Sequence, residues 1–207
     1  MRVRTPTPAH FQRGVLAFRE RESRDAMYRV AAFLVGQFWG QPSELADGVG
    51  VLLLTWNQAF YRYGPPDFKR FERFLAINAQ TLQELRHREI STFSATDGAA
   101  VNQLFSAALE ALGNRAGPNK VRRSPVAVAK ALHLLAPSFF PLWDEAIAKA
   151  YSCYYNTNPA TKYLRFMSLS KEIVAELRES IDSLLDGKTR LKVLDEYNYA
   201  RFTKEWV

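Results

Sequence analysis

Proline and glycine residues divide this chain into short segments, and in most of them apolar residues recur every three or four positions. Between Asp25 and Phe38, apolar residues recur at this spacing at Met27, Val30, Ala31, Leu34 and Phe38. That spacing is the period of an α-helix, which Gly40 and Pro42 would end. Alternating valine- or isoleucine-rich segments joined by hairpin turns do not occur. The sequence therefore predicts an all-α fold.

Residues at the ends of segments define further boundaries. Ser43 and Asp67 are expected to cap the helices that follow them, and Pro125 suits the first turn of a helix that Pro137 ends. The run 51–54 is apolar all round and fits a buried strand or a buried helix, and its continuation to Phe60 favours a helix. Residues 1–25 are expected to form a partly ordered lead-in, and residues 114–124 a basic loop. A helix capped by Thr96 or Asp97 should end at a left-handed Gly113. Further helices are predicted over 68–78, 82–87, 143–155, 164–166, 171–185 and 191–206.

Charge and cysteine content restrict the class of protein. The 207 residues carry a formal net charge of +7, which favours either a polyanionic partner or simply solubility. The single cysteine, Cys153, cannot form an intramolecular disulfide, and no secretory signal pattern stands at the N-terminus, so we expect a cytoplasmic protein. Apolar runs fall well short of the roughly 20 residues that cross a bilayer, so no membrane span is expected.

The common enzyme motifs are missing from the sequence. His10, His87 and His133 stand far apart and no cysteine pair accompanies them, so neither a metal nor a cofactor is expected. Phosphate-binding GxxxxGK[ST], dinucleotide-binding GxGxxG and nucleophile-elbow GxSxG patterns are absent.

A candidate site lies within residues 122–155. There a helix carrying Lys130 is followed by a proline stop and by Asp144 at the start of another helix. A carboxylate at a helix start is favoured in its charged form and can stabilise a cation. Helix capping by Asp144 and solvent exposure of Lys130 are the structural alternatives.

Two blocks of this sequence resemble, remotely, the helix-hairpin-helix (HhH-GPD) DNA glycosylase superfamily. Pro125 to Lys130 keeps the proline-to-lysine spacing of the family hairpin, and Pro141-Leu142-Trp143-Asp144 is similar to the element that carries its catalytic aspartate. Upstream, residues 52–59 (LLLTWNQA) resemble the early family helix whose polar end faces the opened duplex.

The resemblance implies two helical lobes with the active site between them, a central lobe over 43–155 and a second lobe formed by 1–42 and 156–207. It implies a monomer that binds double-stranded DNA and flips a modified base into a pocket, where Asp144 assists hydrolysis of the N-glycosidic bond. Lys130 is the alternative nucleophile, through a Schiff base. The other residues so assigned are Lys120, Arg122, Arg123 and Lys149 for phosphates, Asn57 and Gln58 for the gap or the partner base, and Trp39, Trp56, Tyr61, Trp143, Tyr151, Tyr154 and Tyr155 for stacking, with core packing as the alternative for each aromatic ring.

The chain departs from the family pattern at the hairpin. Both glycines are replaced, by Val126 and Ala127 or by Val128 and Ala129 depending on register, and the interval from Lys130 to Asp144 is about one helical turn shorter than usual. With one cysteine, no iron–sulfur cluster is expected. Three functions therefore stay open: a glycosylase acting on glucosylated hydroxymethylcytosine of phage DNA or on a damaged base, a non-catalytic DNA-binding module, and a helical protein-interaction domain.

Overall fold

Helices dominate the structure, as the sequence predicts. The computed structural model describes residues 5–62, 64–117 and 120–207, with side chains for all of these except 115–117 and 120. The helices are α1 (Pro8–Arg21), α2 (Ala26–Gln37), α3 (Pro42–Trp56), α4 (Gln58–Tyr61), α5 (Phe68–Ile77), α6 (Ala79–Arg86), α7 (Gly98–Ala111), α8 (Pro125–Leu135), α9 (Glu145–Ala150), α10 (Pro159–Glu176), α11 (Arg178–Asp182) and α12 (Arg190–Asn198). Two 3₁₀ turns, Ile90–Thr92 and Ala95–Asp97, precede α7, and a π-helical turn, Tyr199–Thr203, continues α12.

Several helix starts follow from local hydrogen bonds that the sequence predicts. Asp67 accepts the backbone N–H of Arg70 at 3.1 Å and caps α5. Ser124 caps α8 in the same way, and Pro125 occupies the first turn, where its missing N–H costs nothing. The run 51–54 lies within α3, with Leu52 and Leu53 buried, so the helical alternative is confirmed.

Other boundaries differ from the predictions. Helix α3 begins at Pro42 with Gln41 in the cap position, so the cap predicted at Ser43 is wrong. Gly113 is not left-handed; an added Cβ there would meet Val121 Cγ1 at 2.9 Å, so the close approach of the following hairpin requires glycine. The predicted helix 143–155 is shortened to Glu145–Ala150, and the predicted basic loop contains a small antiparallel hairpin, β1 (Asn114–Gly117) with β2 (Lys120–Arg122).

The N-terminal segment is more ordered than the sequence predicts. It forms the 14-residue helix α1, which packs against α12 and buries Phe11, Val15 and Phe18. Arg19 of α1 also donates to the buried Glu196 of α12 at 3.0 Å. These contacts join two distant parts of the chain, and local sequence could not show them.

The helices form two groups that meet in the middle of the folded molecule. Helix α3 packs against α2, α5 and α8, while α7 packs against α5, α8 and α10. Helices α1, α11 and α12 pack together, and α9 contacts the π-helical turn. The main contacts of α2 are with α3 and α8 of the central group, although the resemblance assigns residues 1–42 to the second lobe.

A buried histidine fixes the relation of α2 to α8. His133 Nδ1 lies 2.7 Å from the carbonyl oxygen of Phe140, so it carries the proton, and Nε2 accepts from the Tyr28 hydroxyl at 3.2 Å. Burial lowers the pKa of His133 to about 3. The neutral ring is therefore part of the folded structure.

We expect this histidine to make the protein sensitive to acid. Because the folded-state pKa lies below the unfolded value, the stabilisation is complete above about pH 6.5 and is lost as pH falls toward 3. In that window His133 contributes about 1.4 kcal/mol per pH unit to the change of the free energy of unfolding with pH. Urea unfolding at several pH values in this range should show a weaker pH dependence of this free energy for His133→Gln than for wild type. Equal pH dependence in the two proteins would contradict the assignment.

Candidate functional site

One cavity of about 310 Å³ lies where the terminal helices meet the central group. It is bounded by the C-terminal ends of α1 and α3, by α8, by the start of α9, and by α12 with its π-helical turn. We call it the central cavity; its lining residues are Phe18, Glu22, Asp25, Trp56, Lys130, Leu142, Trp143, Asp144, Ile147, Lys192, Asp195 and Tyr199. Four residues that the resemblance assigns to the site, Trp56, Lys130, Trp143 and Asp144, therefore line one space.

Asp144 is held in place by two donors. Its Oδ1 accepts the backbone N–H of Ile147 at 2.8 Å, which makes it the N-cap of α9. Its Oδ2 accepts from the hydroxyl of Thr203 in the π-helical turn at 2.5 Å. Capping and a place in the cavity lining are thus compatible, because each carboxylate oxygen keeps a further lone pair. The carboxylate reaches the cavity in a fixed orientation.

Lys130 lies against the end of α3. Its Nζ donates to the carbonyl oxygen of Trp56 at 2.6 Å and stands 5.8 Å from the centre of the Trp56 ring. Burial lowers the pKa of Lys130 to about 8, although the negative charges of Asp144 and Asp195 oppose that shift. The amine is therefore not on a solvated helix face, and about a tenth of it is neutral at pH 7.

A second lysine lies deeper in the cavity wall. Lys192, on α12, is 1% exposed, and its Nζ is 3.1 Å from Asp195 Oδ2 and 3.3 Å from Asp25 Oδ2. Burial opposes its charge, but Asp195, Asp25 and Glu196 outweigh that penalty and raise its pKa. The ammonium also lies 4.8 Å from the ring centre of Tyr28 and 4.9 Å from that of Phe18.

Asp195 shares the ammonium of Lys192 and keeps its own contact with the cavity. Its side chain is 14% exposed and belongs to the lining. Burial raises the pKa of Asp195 to about 6; Lys192 opposes this shift, whereas Asp144 and Asp25 add to it. The central cavity therefore holds, besides Asp144, a carboxyl group whose affinity for a proton is increased by burial.

Aromatic rings complete the walls. The Trp56 ring stacks on Tyr28 with centroids 5.9 Å apart and planes 10° apart, which connects the cavity to the His133 hydrogen bonds. Trp143 is 1% exposed, and its indole N–H lies 3.3 Å from the Pro125 carbonyl oxygen. Most of the Trp143 ring therefore packs in the core, and the rings of Trp56 and Tyr199 are more exposed than that of Trp143.

Five aromatic residues assigned to stacking lie outside the lining, and three of them have partners elsewhere in the structure. Tyr61 is buried and donates to the carbonyl oxygen of Leu112 at 3.0 Å, and Tyr151 is buried and donates to Asn198 at 2.8 Å. Trp39 donates to Gln83 and lies beneath Arg86, in a separate cavity. Tyr61 and Tyr151 therefore fit the core alternative, whereas Trp39 is half-buried and lines that separate cavity.

The polar end of α3 faces the cap of α8. Asn57 Nδ2 donates to Ser124 Oγ at 3.0 Å, while Gln58 is exposed. Both follow Trp56 directly, so they lie beside the central cavity without being part of its lining. Tyr154 and Tyr155 contact each other and are likewise not lining residues.

The residues assigned to phosphate contacts have different surroundings. Arg122 is exposed and lies over the Phe60 ring at 5.6 Å. Arg123 forms two hydrogen bonds with Glu110, at 2.6 and 2.8 Å, and Lys149 pairs with Glu145 at 2.6 Å. The side chain of Lys120 lies outside the described residues. Among the described residues, Arg122 is thus the assigned arginine that forms no ion pair with a carboxylate.

Comparison with known proteins gives no relative to guide the assignment. No protein-family model, curated protein or solved structure matches this chain.

The described residues also bear on metal binding and membrane spanning. Within ranges 5–62, 64–117 and 120–207, no three His, Cys, Asp or Glu residues group as metal ligands would. In the same part of the chain, none of the helices combines the length and apolarity that crossing a bilayer requires.

The sequence analysis missed the contribution of α12. Lys192, Asp195 and Tyr199 are spaced three and four residues apart, which places them on one helical face. That spacing was available in the sequence, but a lysine and an aspartate at such positions more often form a solvated surface pair. Asp25, which precedes α2, carried no signal beyond its capping position.

Proposed function

We propose that this chain is a DNA glycosylase that hydrolyses the N-glycosidic bond of a flipped, modified base and leaves an abasic site. The observation that carries the proposal is the placement of Asp144. Its carboxylate, oriented by Ile147 and Thr203, opens into an aromatic-walled cavity of about 310 Å³, where there is room for a nucleobase. The family resemblance assigns the same residue, from the sequence, to the same chemistry.

The distribution of charge supports this proposal. The chain as a whole is positive, at +7, which suits a phosphate backbone. The central cavity is lined by two lysines and four acidic residues, Lys130, Lys192, Glu22, Asp25, Asp144 and Asp195. An acidic interior within a basic exterior suits a reaction in which DNA binds outside and a cationic sugar develops inside.

The proposed reaction divides into binding and bond cleavage. The target nucleotide rotates out of the duplex and its base enters the central cavity, between Trp56 and Tyr199. As the C1′–N bond breaks, the sugar acquires positive charge, which the carboxylate of Asp144 stabilises. The same carboxylate orients a water molecule for attack at C1′ and accepts its proton.

Lys130 has an electrostatic role in this proposal. Its ammonium is committed to the Trp56 carbonyl at 2.6 Å and lies in the electrostatic field of Asp144. It is then placed to hold the end of α3 against α8 and to attract the DNA backbone beside the flipped nucleotide. A nucleophilic role would require loss of both the proton and the hydrogen bond.

We therefore expect no covalent enzyme–DNA adduct when the reaction is quenched with borohydride near pH 7. Only a Schiff base between an amine and C1′ is trapped by this reagent. Denaturing electrophoresis of labelled DNA measures the result, and Lys130→Gln is the matched variant. An adduct formed by wild type and lost in Lys130→Gln would make the enzyme bifunctional.

The substrate within this class is a modified base in double-stranded DNA. Glucosylated hydroxymethylcytosine of phage DNA is the first candidate, which would make the protein an antiviral defence enzyme, and a damaged base in excision repair is the alternative. When duplexes that each carry one of these modifications are incubated with the protein, one kind of duplex should acquire alkali-sensitive abasic sites. Salt-dependent binding without abasic sites would indicate a non-catalytic DNA-binding module, and lack of binding a protein-interaction domain.

A further inference from the structure

The central cavity contains a second carboxyl group whose surroundings contrast with those of Asp144. Asp144 receives two hydrogen bonds from neutral donors, the Ile147 amide and the Thr203 hydroxyl. Asp195 has Oδ2 against the ammonium of Lys192 at 3.1 Å, and its side chain is open to the cavity. Helix α12 therefore contributes both Asp195 and its partner Lys192 to a wall of the cavity where the family resemblance assigns no residue.

Lys192 divides its charge between two carboxylates, those of Asp195 and Asp25. Its ammonium is 3.3 Å from Asp25 Oδ2, an atom otherwise buried without a hydrogen bond. The charged and titratable groups around this pair are Glu22, Asp25, Tyr28, Lys130, Asp144, Lys188, Glu196 and Tyr199. Burial, helped by the charges of Asp144 and Asp25 and opposed by Lys192, raises the pKa of Asp195 to about 6, a value suited to giving up a proton near neutrality.

Cleavage of an N-glycosidic bond needs help at the departing base as well as at the sugar. The electron pair of the bond leaves with the base, and a base that accepts a proton at the same time departs more readily. Most glycoside hydrolases cleave their O-glycosidic bonds with two carboxyl groups in one site, one ionised and one carrying a proton. Asp144 and Asp195 line one cavity and interact electrostatically.

We propose that Asp195 is the general acid that protonates the departing base, with Lys192 and Asp25 as the positioning residues that hold its carboxyl group against the central cavity. This inference rests on the proposed glycosylase function and assigns a catalytic residue that the family resemblance does not supply.

The proposed step balances in atoms and charge. The C1′–N bond breaks and its electron pair stays with the base, which takes the proton of the Asp195 carboxyl group at a ring nitrogen or an exocyclic oxygen. Water forms the new bond to C1′ and gives its proton to Asp144. The products are the free base and an abasic sugar, and proton exchange with solvent restores both carboxyl groups.

Leaving-group dependence tests this assignment. Single-turnover base release is measured on two duplexes, one with the base that wild type releases and one with its ring-halogenated analogue, whose base departs more readily. Asp195→Asn should slow release of the first base by about a hundredfold, the lower range for general acid catalysis, and that of the halogenated base by less than about tenfold. Equal losses on both duplexes, or no loss, would overturn the assignment.

The pH profile gives an independent readout. With wild type, release of the unhalogenated base should fall as pH rises through about 6, because Asp195 then loses its proton. Asp195→Asn should lack this limb, and the exposed Asp47→Asn should keep it. If Asp195→Asn does not fold, Asp195→Glu replaces it: a shifted limb supports the role and an unchanged limb contradicts it.

Failure of this inference is distinguishable from failure of the proposed function. If wild type releases no base from any duplex, the glycosylase proposal falls. If wild type releases base while the Asp195 variants lose activity uniformly, only the acid role falls.

Discussion

Replacing Asp144 by Asn should reduce base release by about a thousandfold while DNA binding stays within about twofold of wild type. The amide keeps the size of the carboxylate but removes the negative charge that faces the developing sugar cation and the group that accepts the proton of water. Loss of one preorganised electrostatic contact costs about a hundred- to a thousandfold, and general base catalysis contributes at least about a hundredfold. Single-turnover release and fluorescence anisotropy measure the two quantities.

Glu145→Gln is the matched control for this prediction. Glu145 is the next residue along the chain, and its side chain is 56% exposed and paired with Lys149 rather than turned to the central cavity. It should release base at the wild-type rate. Full activity of Asp144→Asn, or equal losses in both variants, would show that Asp144 acts only as the cap of α9.

Lys192→Met should lower the free energy of unfolding by about 3–5 kcal/mol, the cost of removing one partner from a buried ion pair. Methionine keeps most of the apolar stem but removes the ammonium that Asp25 and Asp195 share, and leaves Lys188, 4.0 Å from Asp25, as the nearby cation. Because these carboxyl groups then favour protonation in the folded state, the loss should be smaller near pH 5 than near pH 8. Urea unfolding at the two pH values measures it.

Lys149→Met provides the comparison for Lys192→Met. Lys149 also pairs with a carboxylate, but both side chains are more than half exposed, and solvent screens such pairs. The free energy of unfolding of Lys149→Met should equal that of wild type at both pH values. A Lys192→Met protein as stable as Lys149→Met at both pH values would show that the buried charges are not coupled as described.

The local chemistry of helix ends made much of the fold predictable. Asp67 and Pro125 stand where cap and first-turn preferences place them, and Pro137 lies just beyond the end of α8. Prediction failed where distant contacts decide the structure. Helix α1 is basic and weakly amphipathic by itself, and its burial depends on α12, nearly 180 residues away.

The candidate site was predictable on one side only. Lys130 and Asp144 come from the block that carries the resemblance, and the structure brings them to one cavity with Trp56. The opposite side of the cavity comes from α12 and the start of α2. The charged residues there could not be identified as part of a site, because the sequence does not show that they are buried together. Tyr61 and Tyr151 are buried in the core, because an aromatic residue at helical spacing suits a core as well as a binding surface.

Free bases released from duplex DNA by the wild-type protein test the central claim most directly. Duplexes carrying glucosylated hydroxymethylcytosine, other modified pyrimidines and damaged purines would be incubated with the protein, and the small-molecule fraction identified by mass spectrometry. The account predicts release of one modified base with an equal number of abasic sites, and release about a thousandfold slower by Asp144→Asn. Salt-dependent binding to every duplex without release of any base would contradict it.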